Sequence, residues 1–344
     1  MPLLSLSPDD RRLISASIKA VEDESIIVWD IGDSISQAAV LECPKDLAAC
    51  AWSPDGALIA AVTFGGTVRV WDGKTLQQLG QLDGMLRDGK MIDLFRCGFE
   101  PPDPPWSTCV QFSPDARYLA WALTPRSYHC SIWKPRAGEQ PTSLPPHTCD
   151  DVTQCESRHT HATPGALAFD PEGRRIATAH EWSYSRPTPE ECAVRVWDVA
   201  TGAILATLTG HTECVMAVSF SPDGSALLSI SRDGSVRIWD ALSGEHRMTL
   251  GGNSAPIAAA CFSPCGEYVA TGSRWKEQAA RLWRMDDGSC VAVFPVFQGC
   301  AHHIAFSPNG ESLALGTPSG IVHIHRLSDI VGHKTDDCRM LKVD

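Results

Sequence analysis

No run in this sequence approaches 18 apolar residues, the length a helix needs to cross a bilayer, so no membrane span is expected. The first ten residues, MPLLSLSPDD, lack both a basic stretch and an apolar core and do not read as a secretion signal. Basic residues are in the minority, with 29 Lys and Arg against 41 Asp and Glu and a formal net charge of −12. That dispersed acidic balance argues against nucleic acid or an anionic membrane as the main partner. The 14 cysteines in 344 residues fall well short of the roughly 8–10% of a disulfide scaffold. Cys50, Cys214 and Cys261 lie in apolar, strand-like runs and are expected to be small buried hydrophobes. The expected compartment is reducing and intracellular, cytoplasmic or nuclear. No stretch has a helical period. There is no GxGxxG after a strand, no phosphate-binding P-loop, no HExxH and no GxSxG, and HEWSY at His180 lacks a second His. An enzyme would have to build its site from unmarked loops at a channel mouth, so the expectation is a non-enzyme without cofactor.

What the chain does have is a repeated unit. SPDG at Ser221 recurs as SPDD at Ser7, SPDG at Ser53, SPDA at Ser113, DPEG at Asp170, SPCG at Ser263 and SPNG at Ser307. Each copy has a later partner: VWD ending at Asp30, VWD at Asp72, IWK at Lys134, VWD at Asp198, IWD at Asp240, LWR at Arg284 and IHR at Arg326. Pro presets φ for a turn, and the fourth residue relieves strain at its end. After SPDG, SALLSIS alternates apolar and polar, then RDG turns into SVRIWD, which alternates again. From each Trp to the next turn Pro the separations are 25, 43, 38, 25, 25 and 25, so a standard unit carries two insertions. Eleven residues after each Trp stand Val40, Leu82, Leu144, Leu208, Leu250 and Phe294, an apolar mark expected in a fourth strand.

The seven units resemble the WD-repeat (tryptophan-aspartate repeat) β-propeller family across essentially the whole chain. The resemblance implies an all-β fold of seven four-stranded blades, one propeller domain over residues 1–344. It also implies a hydrogen-bonded network in the fifth unit of His211, Ser229, Asp233 and Trp239. The other units depart from it, with Cys43, Asp103, Thr160, Asn253 and Phe297 at the His place, and with Gly65 and Trp275 at the Asp place in units two and six. His211, Ser229 and Asp233 also have the composition of a hydrolase triad, but a network buried inside a blade is the preferred reading.

Two further motifs carry weaker signals. The stretch HTCDDVTQCESRHTH offers His147, Cys149, Cys155, His159 and His161 as zinc ligands, but its spacing fits no standard finger, and a plain loop without metal is expected. VWDGK at Val70 to Lys74 matches, in Trp71, Asp72 and Lys74, the tail by which some WD-repeat proteins engage cullin-type ubiquitin ligases; Phe64 and Gly65 depart from it.

The spacing also locates a surface. Because Leu82 and Leu144 keep the fixed offset, the excess residues lie after the fourth strand, at about 83–107 and 145–164. A third insertion, about 180–192, falls between strands two and three of unit four. Strands alternate in direction, so all three insertions are expected on one face. The residues expected to bind a protein partner there are Trp106, Arg126, Tyr128, Trp182, Tyr184, Arg186, Arg232, Arg274 and Trp275. The ends look less complete. Met1 already falls in the innermost strand of unit one, and eleven residues past His325 stands Asp336 rather than an apolar residue. CRMLKV, residues 338–343, alternates better as an outer strand. Weak closure of blades seven and one, or a chain belonging to a larger complex or a longer protein, is the expectation.

Overall fold

The computed structural model describes residues 2–17, 25–32, 34–42, 47–63, 67–82, 109–122, 130–135, 142–143, 164–180, 192–251, 257–273, 279–296, 301, 303–317 and 321–327. Every regular element among them is a strand, and the strands form seven antiparallel sheets in sequence order. Sheet one holds β1 (Pro2–Leu6), β2 (Arg12–Ser17), β3 (Ser25–Ile31) and β4 (Ile35–Glu42). Sheet two holds β5 (Leu47–Trp52), β6 (Leu58–Thr63), β7 (Val68–Asp72) and β8 (Gln78–Leu82). Sheet three holds β9 (Cys109–Phe112), β10 (Leu119–Ala122), β11 (Cys130–Trp133) and the two-residue β12 (Thr142–Ser143). Sheet four holds β13 (Pro164–Phe169), β14 (Arg175–His180), β15 (Val194–Asp198) and β16 (Ile204–Leu208). Sheet five holds β17 (Val215–Phe220), β18 (Ala226–Ser231), β19 (Val236–Asp240) and β20 (His246–Leu250). Sheet six holds β21 (Ile257–Phe262), β22 (Tyr268–Ser273), β23 (Ala279–Arg284) and β24 (Cys290–Pro295). Sheet seven has three described strands, β25 (His303–Phe306), β26 (Ser312–Gly316) and β27 (Val322–Arg326).

The chain divides into two compact units, one built on sheets one to three and one on sheets four to seven. Inside each unit the first strands lie side by side: β1 with β5 and β5 with β9, then β17 with β21 and β21 with β25. The core repeats with the sheets. In sheet five, Val236, Ile238 and Leu250 face Phe262, Val269 and Trp283 of sheet six. Val194, Val196 and Leu208 meet Phe220, Leu227 and Trp239 in the same way, as do Val68 and Val70 with Phe112, Leu119 and Trp133. Each such side chain contributes about 1.5–3 kcal/mol by leaving water, so the interface between neighbouring sheets is the main stabilising element.

The SPDG turns are built alike. Ser221 donates its backbone N–H to the Ala226 carbonyl at 2.9 Å, accepts the Ala226 N–H on its hydroxyl at 2.9 Å and donates that hydroxyl to Asp223 at 2.5 Å. Ser7, Ser53 and Ser113 pair with Asp9, Asp55 and Asp115 in the same way, and Ser307 pairs with Asn309. The fourth position has positive φ in every copy, 70° at Gly224 but also 56° at Asp10 and Ala116, where a side chain meets the left-handed region.

Two sequence expectations need correction. The buried fourth-strand residue of sheet one is Leu41, whereas Val40 is 49% exposed. Trp29 pairs with Gln37, eight residues on, where Trp239 pairs with His246, seven on, so one extra residue in the preceding turn moves the apolar mark. Cys214 is buried as expected, but Cys50 and Cys261 are only half-buried, because they lie on first strands that form one edge of their sheets. Burial still pushes the Cys261 thiol up to about 11, which keeps it protonated and inert at neutral pH.

Candidate functional site

The described part of the candidate site is the end of sheet five where the chain enters from sheet four. Residues 209–214 lead from β16 to β17, and residues 232–235 turn β18 into β19. The two connections are tied together. The Arg232 N–H donates to the Cys214 carbonyl at 3.0 Å, and the Ser231 hydroxyl donates to the Glu213 carbonyl at 2.8 Å. Gly210, at φ 142°, brings the backbone against the Arg237 guanidinium, so a Cβ there would be strained by that backbone angle and would displace the end of the arginine.

Under this clamp the structure brings His211, Ser229, Asp233 and Trp239 together. Asp233 sits 2.9 Å from His211 Nδ1. As a carboxylate it only accepts, so Nδ1 carries the proton. Nε2 lies 2.7 Å from the Ser229 hydroxyl, and Ser229 also accepts the Trp239 indole N–H at 2.8 Å. With a neutral His211, proton donation runs one way, from Trp239 to Ser229 to His211 to Asp233, and every polar atom is matched. In a low-dielectric interior such a chain strengthens itself. Asp233 also accepts the Thr212 N–H and both the N–H and hydroxyl of Ser235. Burial alone would raise the Asp233 carboxyl, but the hydrogen bonds from His211 and Ser235 outweigh it and hold the group well below the usual carboxylate range.

These distances would also suit a Ser-His-Asp triad, and burial decides against it. Ser229 is 0% and His211 1% exposed. The Ser229 hydroxyl lies inside a strand with the Trp239 N–H already on it, leaving no approach for a substrate carbonyl.

Other sheets keep only part of the network. Trp29, Trp197 and Trp283 donate to Ser15, Thr178 and Thr271, each at 2.8 Å. In sheets two, three and seven the place of Ser229 falls to Ala61, Trp121 and Leu315 by register. With Leu315 in that place, His325 Nε2 is buried without a hydrogen-bond partner among the described residues, and the indole nitrogen of Trp121, which itself fills the place in sheet three, is likewise unpaired among them. Burial, then the neighbouring His323, lowers the His325 pKa.

The opposite end of the sheets is closed by short turns. Ala241, Gly73, Val199 and Met285, just after the third strands, donate to the carbonyls of Ser225, Ala57, Arg174 and Glu267 in the first turns. Two arginines that the sequence reading missed link sheets here. Arg175 donates to Asp170 at 2.9 Å and reaches across to the carbonyls of Ala241 and Gly224, while Arg12 bonds Asp30 and the Gly73 carbonyl. The available signal was Asp170 in place of Ser, with Arg five residues on. Between sheets one and two this end has a cavity of about 470 Å³ edged by Arg11, Arg12, Asp30, Trp52 and Lys74. In VWDGK, Trp71 is buried and Asp72 caps its turn by accepting the N–H groups of Lys74 and Thr75.

Of the expected partner-binding residues, Arg232 is described and exposed at the clamped end of sheet five. Trp106, Arg126, Tyr128, Trp182, Tyr184, Arg186, Arg274 and Trp275 lie outside the described residues, as do His147, Cys149, Cys155, His159 and His161. Cys43, Phe64, Gly65, Asp103, Thr160, Asn253 and Phe297 lie outside them too. Among the described residues, no group of three His, Cys, Asp or Glu is placed to hold a metal ion, and no helix is long and apolar enough to cross a membrane.

Comparison with known proteins fits this geometry. Residues 36–72, 202–240 and 244–284 match the WD40 model, described as WD domain, G-beta repeat. Each match begins in or just before the fourth strand of one sheet and ends with the third strand of the next, so the sequence repeat is offset from the sheet by one strand. The chain carries WD repeats, and its seven sheets are the blades of a β-propeller, a fold typical of protein-interaction scaffolds. It is similar to protein tipD of Dictyostelium discoideum, 31% identical over 150 residues that are 44% of this chain and 22% of tipD. It is also similar to human WD repeat and SOCS box-containing protein 1, 29% identical over 167 residues, 40% of this chain and 38% of that protein. The matches thus span well under half the length of these curated relatives. A chain in a crystal structure of a mitotic checkpoint complex has the same fold, with a TM-score of 0.66 at 17% identity, over 94% of this chain and 88% of that one.

Proposed function

We propose that this chain is a non-enzymatic interaction scaffold that docks a protein partner on the face where fourth strands lead to the next blade and second strands turn into third. The observation that carries this reading is the asymmetry between blade ends. One end is closed by hydrogen-bonded turns. The long connections, from β8 to β9, from β12 to β13 and from β14 to β15, leave from the other. Long loops on a rigid frame are where binding residues concentrate. Trp106 and Trp182 are the proposed anchors, with Arg186 and Arg232 as further contact residues, as aromatic and Arg side chains dominate interface energetics. The partner is a protein rather than nucleic acid or membrane, and the setting is intracellular.

Purification of the tagged chain with its partners, followed by mass spectrometry, tests the proposal. Trp182→Ala and Arg186→Ala should lose the partner while leaving thermal unfolding unchanged; retention of the partner by both would refute the assignment. A second reading, substrate receptor of a cullin-type ubiquitin ligase, draws support from the relative whose name records a SOCS box and from exposed Lys74 after Trp71 and Asp72. Stoichiometric ligase adaptors in the same purification, lost on Lys74→Glu, would favour it.

A further inference from the structure

Arg12 and Arg175 hold the same place in sheets one and four, at the start of the second strand, but their guanidinium groups end differently. In sheet four Asp170 opens the first turn and accepts from Arg175 Nε at 2.9 Å, which carries the guanidinium across to sheet five. There it bonds the carbonyls of Gly224 and Ala241 at 2.7 and 3.1 Å, and its carbon lies 5.3 Å from the centroid of the Phe220 ring. In sheet one the opening residue is Ser7, whose hydroxyl goes to Asp9. Arg12 Nε turns instead to Asp30 of its own sheet, and Nη1 bonds the carbonyls of Gly73, the counterpart of Ala241, and Lys74. A Cβ at Gly224 would lie 3.0 Å from Arg175 Nη2, whereas one at Gly56, its counterpart in sheet two, would touch only Pro8. The place beside Gly56 that an arginine fills at Gly224 is thus left open, within the cavity of about 470 Å³ between sheets one and two. Trp52 lines that cavity in the place of Phe220, with Gly56 and the carboxylates of Asp9 and Asp55.

We infer that this cavity receives the guanidinium group of a ligand, in the way that sheet five receives Arg175. Among aromatic rings, indole attracts a cation most strongly. A planar guanidinium with five N–H donors can lie on that ring and reach acceptors at its edge, which a compact ammonium does less well. The charges around the cavity leave room for it: Arg12 is paired with Asp30, and Arg11 and Lys74 are exposed to water. A volume of this size falls in the range of small-ligand sites, roughly 300–1,000 Å³. The site lies at the opposite end of the blades from the face proposed for the protein partner and does not depend on it.

NMR titration of the purified chain with Nα-acetyl-arginine amide, read through the Gly56 amide and the Trp52 ring signals, tests the inference. Saturable shifts are expected, and Nα-acetyl-lysine amide should bind about fivefold more weakly or worse. Agmatine, titrated in parallel, separates the two sources of the group: tighter binding of agmatine points to a free guanidinium compound, tighter binding of the blocked arginine to a peptide. Ser7→Asp gives sheet one the opening residue of sheet four, so Arg12 should swing over Trp52 and weaken binding by about tenfold or more through intramolecular competition. Lys74→Ala should tighten binding by about twofold, because it removes a like charge. Absence of saturable shifts in the parent chain, equal binding of the lysine probe, unchanged binding in Ser7→Asp, or weaker binding in Lys74→Ala, which would mark an anion site, would each overturn it.

Discussion

Replacing His211 with Ala removes the side chain that links Ser229 to Asp233 at the clamped end of blade five. The Ser229 hydroxyl, 0% exposed, loses its acceptor at 2.7 Å. Asp233 loses the donor at 2.9 Å but keeps the Thr212 N–H and both donors of Ser235. Trp239 keeps Ser229 as acceptor and loses an edge contact with the imidazole, whose centroid lies 6.0 Å away. The cost is therefore chiefly one unmatched buried hydroxyl and one lost charge-assisted bond, softened by the donors that remain, and comes to about 1–3 kcal/mol. Urea unfolding measures it, with exposed Glu245→Ala as a control expected within about 0.5 kcal/mol of the parent. Exchange at residues 226–240 should accelerate in His211→Ala. A change within error in both measurements would refute the reasoning, since it would mean that the network contributes nothing to holding the blade.

Other consequences follow from the same contacts. Arg175→Met breaks a pair in which Asp170 is 2% exposed, and should cost about 2–4 kcal/mol by denaturant unfolding, whereas Arg12→Met, opposite a half-exposed Asp30, should cost under about 1 kcal/mol. Gly224→Ala forces a side chain to φ 70° and should destabilise by about 1–2 kcal/mol, while Asp10→Gly should stabilise by about 0.5 kcal/mol. The Ser221 hydroxyl, then the Ser225 N–H and hydroxyl, lower the Asp223 carboxyl to about 2. Its folded value lies below its unfolded value, so its contribution is present above about pH 4 and is lost as pH falls toward 2. The stability difference between parent and Asp223→Asn should therefore shrink over that window, and a constant difference would count against the assignment.

The blades were legible because turn chemistry acts locally: Ser, Pro and Gly specify each first turn. The alternation read in SALLSIS marked a strand but not its burial, since all of Ala226–Ser231 is buried, Ser229 and Ser231 included. The His211 network was legible through the resemblance. What escaped depends on register and on contacts between blades. One additional turn residue moved burial from Val40 to Leu41, and no local pattern records that Arg175 reaches the carbonyl of Ala241. Ser235, a further ligand of Asp233, lay beside the predicted network but has no periodicity to mark it. The insertions at 83–107, 145–164 and 180–192 were visible only as excess length, since their residues follow no strand or turn pattern from which contacts could be read.

Hydroxyl-radical footprinting of the chain bound to its co-purified partner tests the scaffold account most directly. The account predicts protection of Trp106, Trp182 and the residues around Arg232, with the Ser53–Gly56 turn and the cavity edge at Arg11 and Lys74 modified as in the free chain. Protection of the Ser53–Gly56 end, with Trp106 and Trp182 unaffected, would contradict it.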